Sequence, residues 1–149
     1  MLKERIDQDL KKALLGGDKV LATTLRGLKS VILYAEVAEG MREQGLPDEE
    51  IVTLFAKEAK KRQESADLYS KGGNEERAQA EVVEKKVIET YLPRQLSDEE
   101  LEVIVDAAIA SFDVVNPQIM GKIIGAAKQE VGSRADGSRI AQMVKERLN

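Results

Sequence analysis

The chain has 149 residues and 16.4 kDa, enough for one ordinary domain or two small ones. Its 42% apolar and 34% charged residues describe a folded rather than a disordered protein. With no Cys and no His, it excludes disulfides, thiol nucleophiles, imidazole bases and Cys- or His-ligated metal sites. A net charge of −4 and a pI near 5.1 exclude a general polyanion-binding coat, for which a pI above about 9 is usual, and leave room only for a local basic patch.

Apolar residues recur at helical spacing and nowhere alternate over a strand's length, which predicts an all-α fold. Leu2, Ile6, Leu10, Ala13 and Leu14 make a first stripe, closed by Gly16-Gly17. Asp18 caps a second helix with Leu21, Leu25, Leu28, Ile32 and Ala35 on one face, fading between Gly40 and Gly45. Pro47 and the acids Asp48, Glu49 and Glu50 mark the start of a third helix, because carboxylates favour the positive end of the helix dipole. Ile51, Phe55, Ala59, Ala66 and Tyr69 form its apolar face, and Gly72-Gly73 ends it. A fourth runs from about Asn74 to Tyr91, with Ala80, Val83, Val87 and Tyr91 expected inward.

Pro93 disfavours helical geometry at Leu92, so the segment Leu92–Leu96 is the expected boundary between an N-terminal domain of about four helices (1–93) and a C-terminal three-helix domain (97–149). Ser97 with Glu100 reads as a capping box for a fifth helix lined by Leu101, Ile104, Val105, Ala108 and Ile109. Asn116-Pro117 opens a sixth with Ile119, Ile123, Ile124, Ala127 and Val131. Asp136 caps a seventh with Ile140, Met143, Val144 and Leu148. Residues 97–113 hold six acids and no base, whereas 114–149 hold six bases and three acids, the sharpest charge asymmetry in the chain. No run approaches the roughly 18 apolar residues that cross a bilayer, and the charged N-terminus lacks a signal-peptide core, so a cytoplasmic protein without membrane contact is expected.

The candidate site lies in the basic segment. Gly121 and Gly125 fall on one helix face, where two glycines cost about 0.5–1 kcal/mol each relative to Ala. They serve either tight packing against the fifth or seventh helix or a smooth surface on which a phosphate–sugar backbone can lie, with Lys122 and Lys128 beside it. Arg134 and Arg139 flank the start of the seventh helix, where free amides and two guanidinium groups would make an anion site. Lys57, Lys60, Lys61 and Arg62 alternate with acids and read as a solvated face, with Glu58–Arg62 an i,i+4 pair. Glu75, Glu76, Glu81, Glu84 and Glu89 read as another wet face, and no carboxylate pair is organised for acid–base or metal work. No phosphate loop and no DNA-recognition motif is present, so no catalytic residue, metal or cofactor is assigned.

Several motifs follow in a fixed order: Leu25-Arg26-Gly27-Leu28-Lys29-Ser30 with Ala35-Glu36, Lys57-Glu58-Ala59-Lys60-Lys61-Arg62-Gln63-Glu64-Ser65-Ala66, Lys71-Gly72-Gly73, Tyr91-Leu92-Pro93-Arg94-Gln95-Leu96-Ser97, Met120-Gly121-Lys122 and Arg134-Ala135-Asp136-Gly137. With them the chain resembles the YqeY-like proteins, which are similar to the C-terminal tail of the B subunit of the glutamine-dependent aminoacyl-tRNA amidotransferase. Ser133 stands where the family often has Gly, and Ala135-Asp136-Gly137 differs from the Ala-Asn-Pro of the amidotransferase tail, so that subunit's RNA contacts do not carry over residue by residue. The resemblance implies a noncatalytic module that binds tRNA or a tRNA-related protein; the basic charge pattern and the glycine face of the tail, not the resemblance, select Gly121, Lys122, Gly125, Lys128, Arg134 and Arg139 as the expected RNA contacts. The competing expectations are a protein–protein adaptor of the translation machinery and, less favoured, a carbon–nitrogen ligase using glutamine as amide donor.

Overall fold

Seven α-helices and two 3-10 turns, with no strand, make up the computed structural model, which describes all 149 residues. Contacts divide it into two units, Met1–Leu92 and Pro93–Asn149.

In the first unit, α1 (Leu2–Leu15) and α2 (Lys19–Ala38) are joined through Gly16 and Gly17. Gly17 takes a φ of +73°, a conformation open to glycine without strain. The Asp18 carboxylate accepts the Leu21 amide at 3.1 Å and so satisfies one of the orphan donors of α2. α3 (Asp48–Lys71) begins after Pro47 with three acids in its first turn, and α4 (Glu75–Glu89) begins under the side chain of Asn74, which accepts the Arg77 amide. The core gathers Ile6, Leu25, Leu28, Ile32, Ile51, Phe55, Ile88 and Tyr91. Phe55 and Tyr91 meet edge to face at 6.1 Å, a contact worth about 0.5–1.5 kcal/mol beyond the area it buries. The Tyr91 hydroxyl donates to Asp9 Oδ2 at 2.5 Å, and burial, with Asp9 beside it, pushes its pKa up. Leu14, expected inward, is half exposed.

Of the residues expected inward on the fourth helix, Val87 and Tyr91 reach the core, but the outer half of α4 is turned differently. Ala80 and Val83 face outward, while Ala78 and Ile88 are buried. The reason lies in the α3–α4 hairpin, whose outer half is zipped by polar groups that a count of apolar positions overlooks. Arg62 reaches Glu81 at 3.3 Å, Glu84 at 3.6 Å and Glu58 at 3.7 Å, and Lys85 donates to Gln63 at 2.9 Å. Glu81 and Glu84 therefore face α3 instead of forming the wet surface expected of them, and Arg62 is half-buried in the seam. Small Ala66 and Ala78 are the buried apolar residues there.

In the second unit, α5 (Asp98–Ala110), α6 (Met120–Val131) and α7 (Gly137–Leu148) pack around Leu101, Val105, Ile123, Ala127, Val131, Ile140 and Val144. The capping box at Ser97 forms as expected: its hydroxyl accepts the Glu100 amide, and the Glu100 carboxylate reaches back to the Ser97 amide. Asn116 accepts the amides of Gln118 and Ile119 and opens a 3-10 turn, Pro117–Ile119, that leads into α6. The segment before α5 is built into this unit. Leu96 is buried, and its amide donates to the Arg134 carbonyl at 2.8 Å. No helix of the chain is long and apolar enough to cross a membrane.

Candidate nucleic-acid interface

α6 owes its position to one apolar stripe. Ile123, Ala127 and Val131 are all but completely buried, which forces Gly121, Lys122, Gly125, Lys128 and Gln129 onto the exposed side. A Cβ added to Gly121 or Gly125 would meet nothing within 4 Å. Of the two roles the sequence allows these glycines, close packing is thereby excluded and the smooth, open face is the one present. No acid occurs between residues 114 and 129, and the acid of α6 is the exposed Glu130 at its end, so the exposed side of this helix carries a net positive charge. At 1.5 Å per residue Lys122 and Lys128 lie about 9 Å apart along the axis. The Lys128 side chain lies over the start of α7: its Cε and Nζ stand 3.1 and 3.2 Å from where a Cβ on Gly137 would be.

The two arginines behave differently. Arg139 donates to Asp98 at 2.7 Å and to the Leu96 carbonyl at 3.2 Å, tying α7 to the start of α5. Arg134 folds back on the end of α6 and donates to the carbonyls of Val131 and Glu130 at 3.1 and 2.7 Å, two acceptors that the helix terminus leaves open. The expected pair of guanidinium groups converging on an anion at the start of α7 is therefore not formed, because each is drawn to an acceptor of its own unit. Asp136 keeps the expected capping role and accepts the Ser138 amide at 3.1 Å.

Further ion pairs complete the pattern. Arg147 bridges to Asp106 at 2.9 Å and Glu102 at 3.7 Å, and the hydrogen bond to Asp106 raises its pKa. Arg94 grips both oxygens of Glu100 at 2.9 and 2.8 Å. Those bonds, with those of Ser97, hold the Glu100 carboxyl down at about 2. The acidic α5 is thus the counter-charge of Arg94, Arg139 and Arg147. Sequence reasoning saw the acidic and basic blocks but not their pairing, which depends on the turn of each helix. It also passed over Gln129, an exposed amide on the same side as the two glycines.

A family model described as "Yqey-like protein" matches residues 3–148, nearly the whole chain. The chain belongs to the YqeY-like family. Among curated proteins, this YqeY-like chain is similar to "Altered inheritance of mitochondria protein 41, mitochondrial" of Eremothecium gossypii, at 33% identity over 68% of the chain and 56% of that protein. A protein of the same name from Kluyveromyces lactis is 27% identical over 79% of the chain and 66% of its own length. The chain thus spans between about half and two thirds of these relatives. Neither relative's name refers to tRNA.

Proposed function

We propose that this YqeY-like chain is a noncatalytic module that holds tRNA through the exposed side of α6. The observation that carries the reading is the coincidence, on one helix face, of two glycines with open space above them and two exposed lysines without an acid among them. A sugar–phosphate backbone can approach such a face closely, and ammonium groups neutralise phosphates without fixing a base sequence. Lys122 and Lys128 are its main contacts, with Gly121 and Gly125 permitting approach, while Arg134 and Arg139 hold the helices that present them. In this reading the tail, residues 97–149, is the binding part, and residues 1–93 are a separate helical domain. We assign the chain to the cytoplasm. The mitochondrial designation belongs to the named relatives, and tRNA is present in both compartments.

Fluorescence anisotropy with labelled tRNA across a salt series tests this. With two lysines engaged, the slope of log affinity against log salt is shallow, about −0.7 per phosphate for single-stranded contacts. The double change Lys122→Glu/Lys128→Glu lowers affinity by about tenfold or more, with folding stability within about 0.5 kcal/mol of the parent. Gly121→Ala and Gly125→Ala each raise stability by about 0.5–1 kcal/mol and weaken binding. Affinity that is absent, or indifferent to salt and to these changes, defeats the proposal. Glutamine-dependent amidation by the isolated chain would replace it with a ligase.

A protein-adaptor role is favoured by one feature of the first unit. α2 exposes Val20, Tyr34 and Val37 at 63%, 75% and 57%, along a side where Gly27 also has nothing within 4 Å. Co-purification that depends on Tyr34 and survives Lys122→Glu/Lys128→Glu would select that reading.

A further inference from the structure

α1 and α2 enclose a groove of about 330 Å³ whose apolar lining comes from Ile6, Ile32 and Leu33. Three cations stand around it, Lys3, Lys29 and Arg42, against two carboxylates. The carboxylates are already matched: Asp7 takes Lys29 at 2.8 Å, and Glu36 takes Lys3 at 2.8 Å. The lining therefore carries one net positive charge: the exposed Arg42 forms no ion pair of its own and acts on Glu36 only through its field, and the exposed Ser30 hydroxyl also lines the groove.

The segment that carries Arg42 is fixed in place. The Glu36 carbonyl accepts the Met41 amide at 2.8 Å, and the buried Glu36 carboxylate accepts the Leu46 amide at 3.0 Å. Gly45, at a φ of +77°, passes so close that a Cβ would lie 3.2 Å from Glu36 Oε2 and 3.6 Å from Lys3 Nζ. The backbone that carries the guanidinium is therefore pinned at the edge of an apolar-walled groove, where the exposed side chain can make a charge-assisted hydrogen bond to an anion. Lys29, Ser30 and Glu36 also belong to the motifs by which the sequence resembles its family, and α6 makes no use of them.

We infer that this groove binds a small carboxylate with a short apolar body, its oxygens on Arg42 and Ser30 and its body against Leu33 and Ile32. A single carboxylate matches the single unbalanced charge, whereas a phosphate dianion would leave the lining over-neutralised. The volume suits a ligand at the small end of the usual pocket range, about 300–1,000 Å³. This site is separate in residues and in chemistry from the lysine face of α6.

Titration of the full-length protein with benzoate, benzamide and phenyl phosphate, followed by ¹H–¹⁵N NMR, tests the inference. Benzoate is expected to shift the amides of Ser30, Leu33 and Arg42 saturably in the millimolar range. The neutral isostere benzamide should leave them unmoved, and phenyl phosphate should bind several-fold more weakly. Arg42→Ala, an exposed position whose loss leaves the core intact, should weaken benzoate by about tenfold, and Arg42→Lys should restore part of it. Ser30→Ala should give a smaller loss. Equal shifts from benzamide, shifts that do not saturate, shifts centred on α6, or an Arg42→Ala protein that binds as before would each overturn the inference. Tighter binding of phenyl phosphate than benzoate would overturn the carboxylate assignment. None of these outcomes depends on tRNA binding.

Discussion

α6 and α7 have the same length, 12 residues, and rest on the same aliphatic core, yet they use their cations in opposite ways. On α7, Arg139 and Arg147 reach back to Asp98, Asp106 and Glu102 of α5. On α6, Lys122 and Lys128 stay on the exposed side, beside glycines that offer no competing side chain. The difference follows from position. The arginines of α7 face the acidic α5, whereas the exposed side of α6 has no carboxylate of its own between residues 114 and 129. Net charge alone therefore says little about which cations a partner can meet.

The comparison can be broken in descending steps. Ile123→Ala on α6 and Ile140→Ala on α7 should each cost about 2–5 kcal/mol in chemical denaturation, since both side chains are essentially unexposed. If only one proves costly, the helices do not share a core equally. Removing Glu36, which holds the turn after α2 through Lys3 and Leu46, should cost about 1.5–3 kcal/mol as Glu36→Ala while leaving the second unit's NMR spectrum in place. Asp98→Asn should cost at most about 1 kcal/mol, because the Arg139 pair is largely solvated. By releasing that guanidinium it should also raise tRNA affinity by about two- to threefold; an unchanged affinity would mean that α7 plays no part even when its cation is freed. The smallest effect concerns pH. Glu100 has its carboxyl lowered from 4.5 to about 2, so its contribution to the start of α5 is fully present above pH 4.5 and is lost as pH falls toward 2. Carboxyl ¹³C titration should show that lag, and Arg94→Ala should move the midpoint back up.

Much of the fold was legible because its signals are local. Gly16-Gly17, Asp18, Asn74, the Ser97–Glu100 box and Asn116 mark helix ends by satisfying particular backbone groups, and a linear sequence records those spacings directly. The inner end of the fourth helix, with Val87 and Tyr91, was legible too, but its outer half was not, because the inward face at the seam is partly charged: Glu81, Glu84 and Lys85 take places that apolar spacing would give to Ala80 and Val83. The glycine face of α6 was recognised as a choice between packing and openness, and only its surroundings could decide that choice. The arginines were the hardest to place, since Arg139 and Asp98 are 41 residues apart and their meeting depends on how three helices close.

The hairpin of α3 and α4 carries a consequence of its own. Near the main core its grip is oily, through Phe55, Ala59 and Ile88; midway it is ionic, through Arg62 and its three carboxylates; and toward the tip Ala66 and Ala78 are buried and Arg77 lies over the Tyr69 ring. Dissolved ions weaken the second kind of grip and leave the first almost untouched. Rising ionic strength should accordingly loosen this arm at its middle first, detectable as faster hydrogen exchange around Arg62 and Glu81–Lys85 before the apolar base of the arm responds.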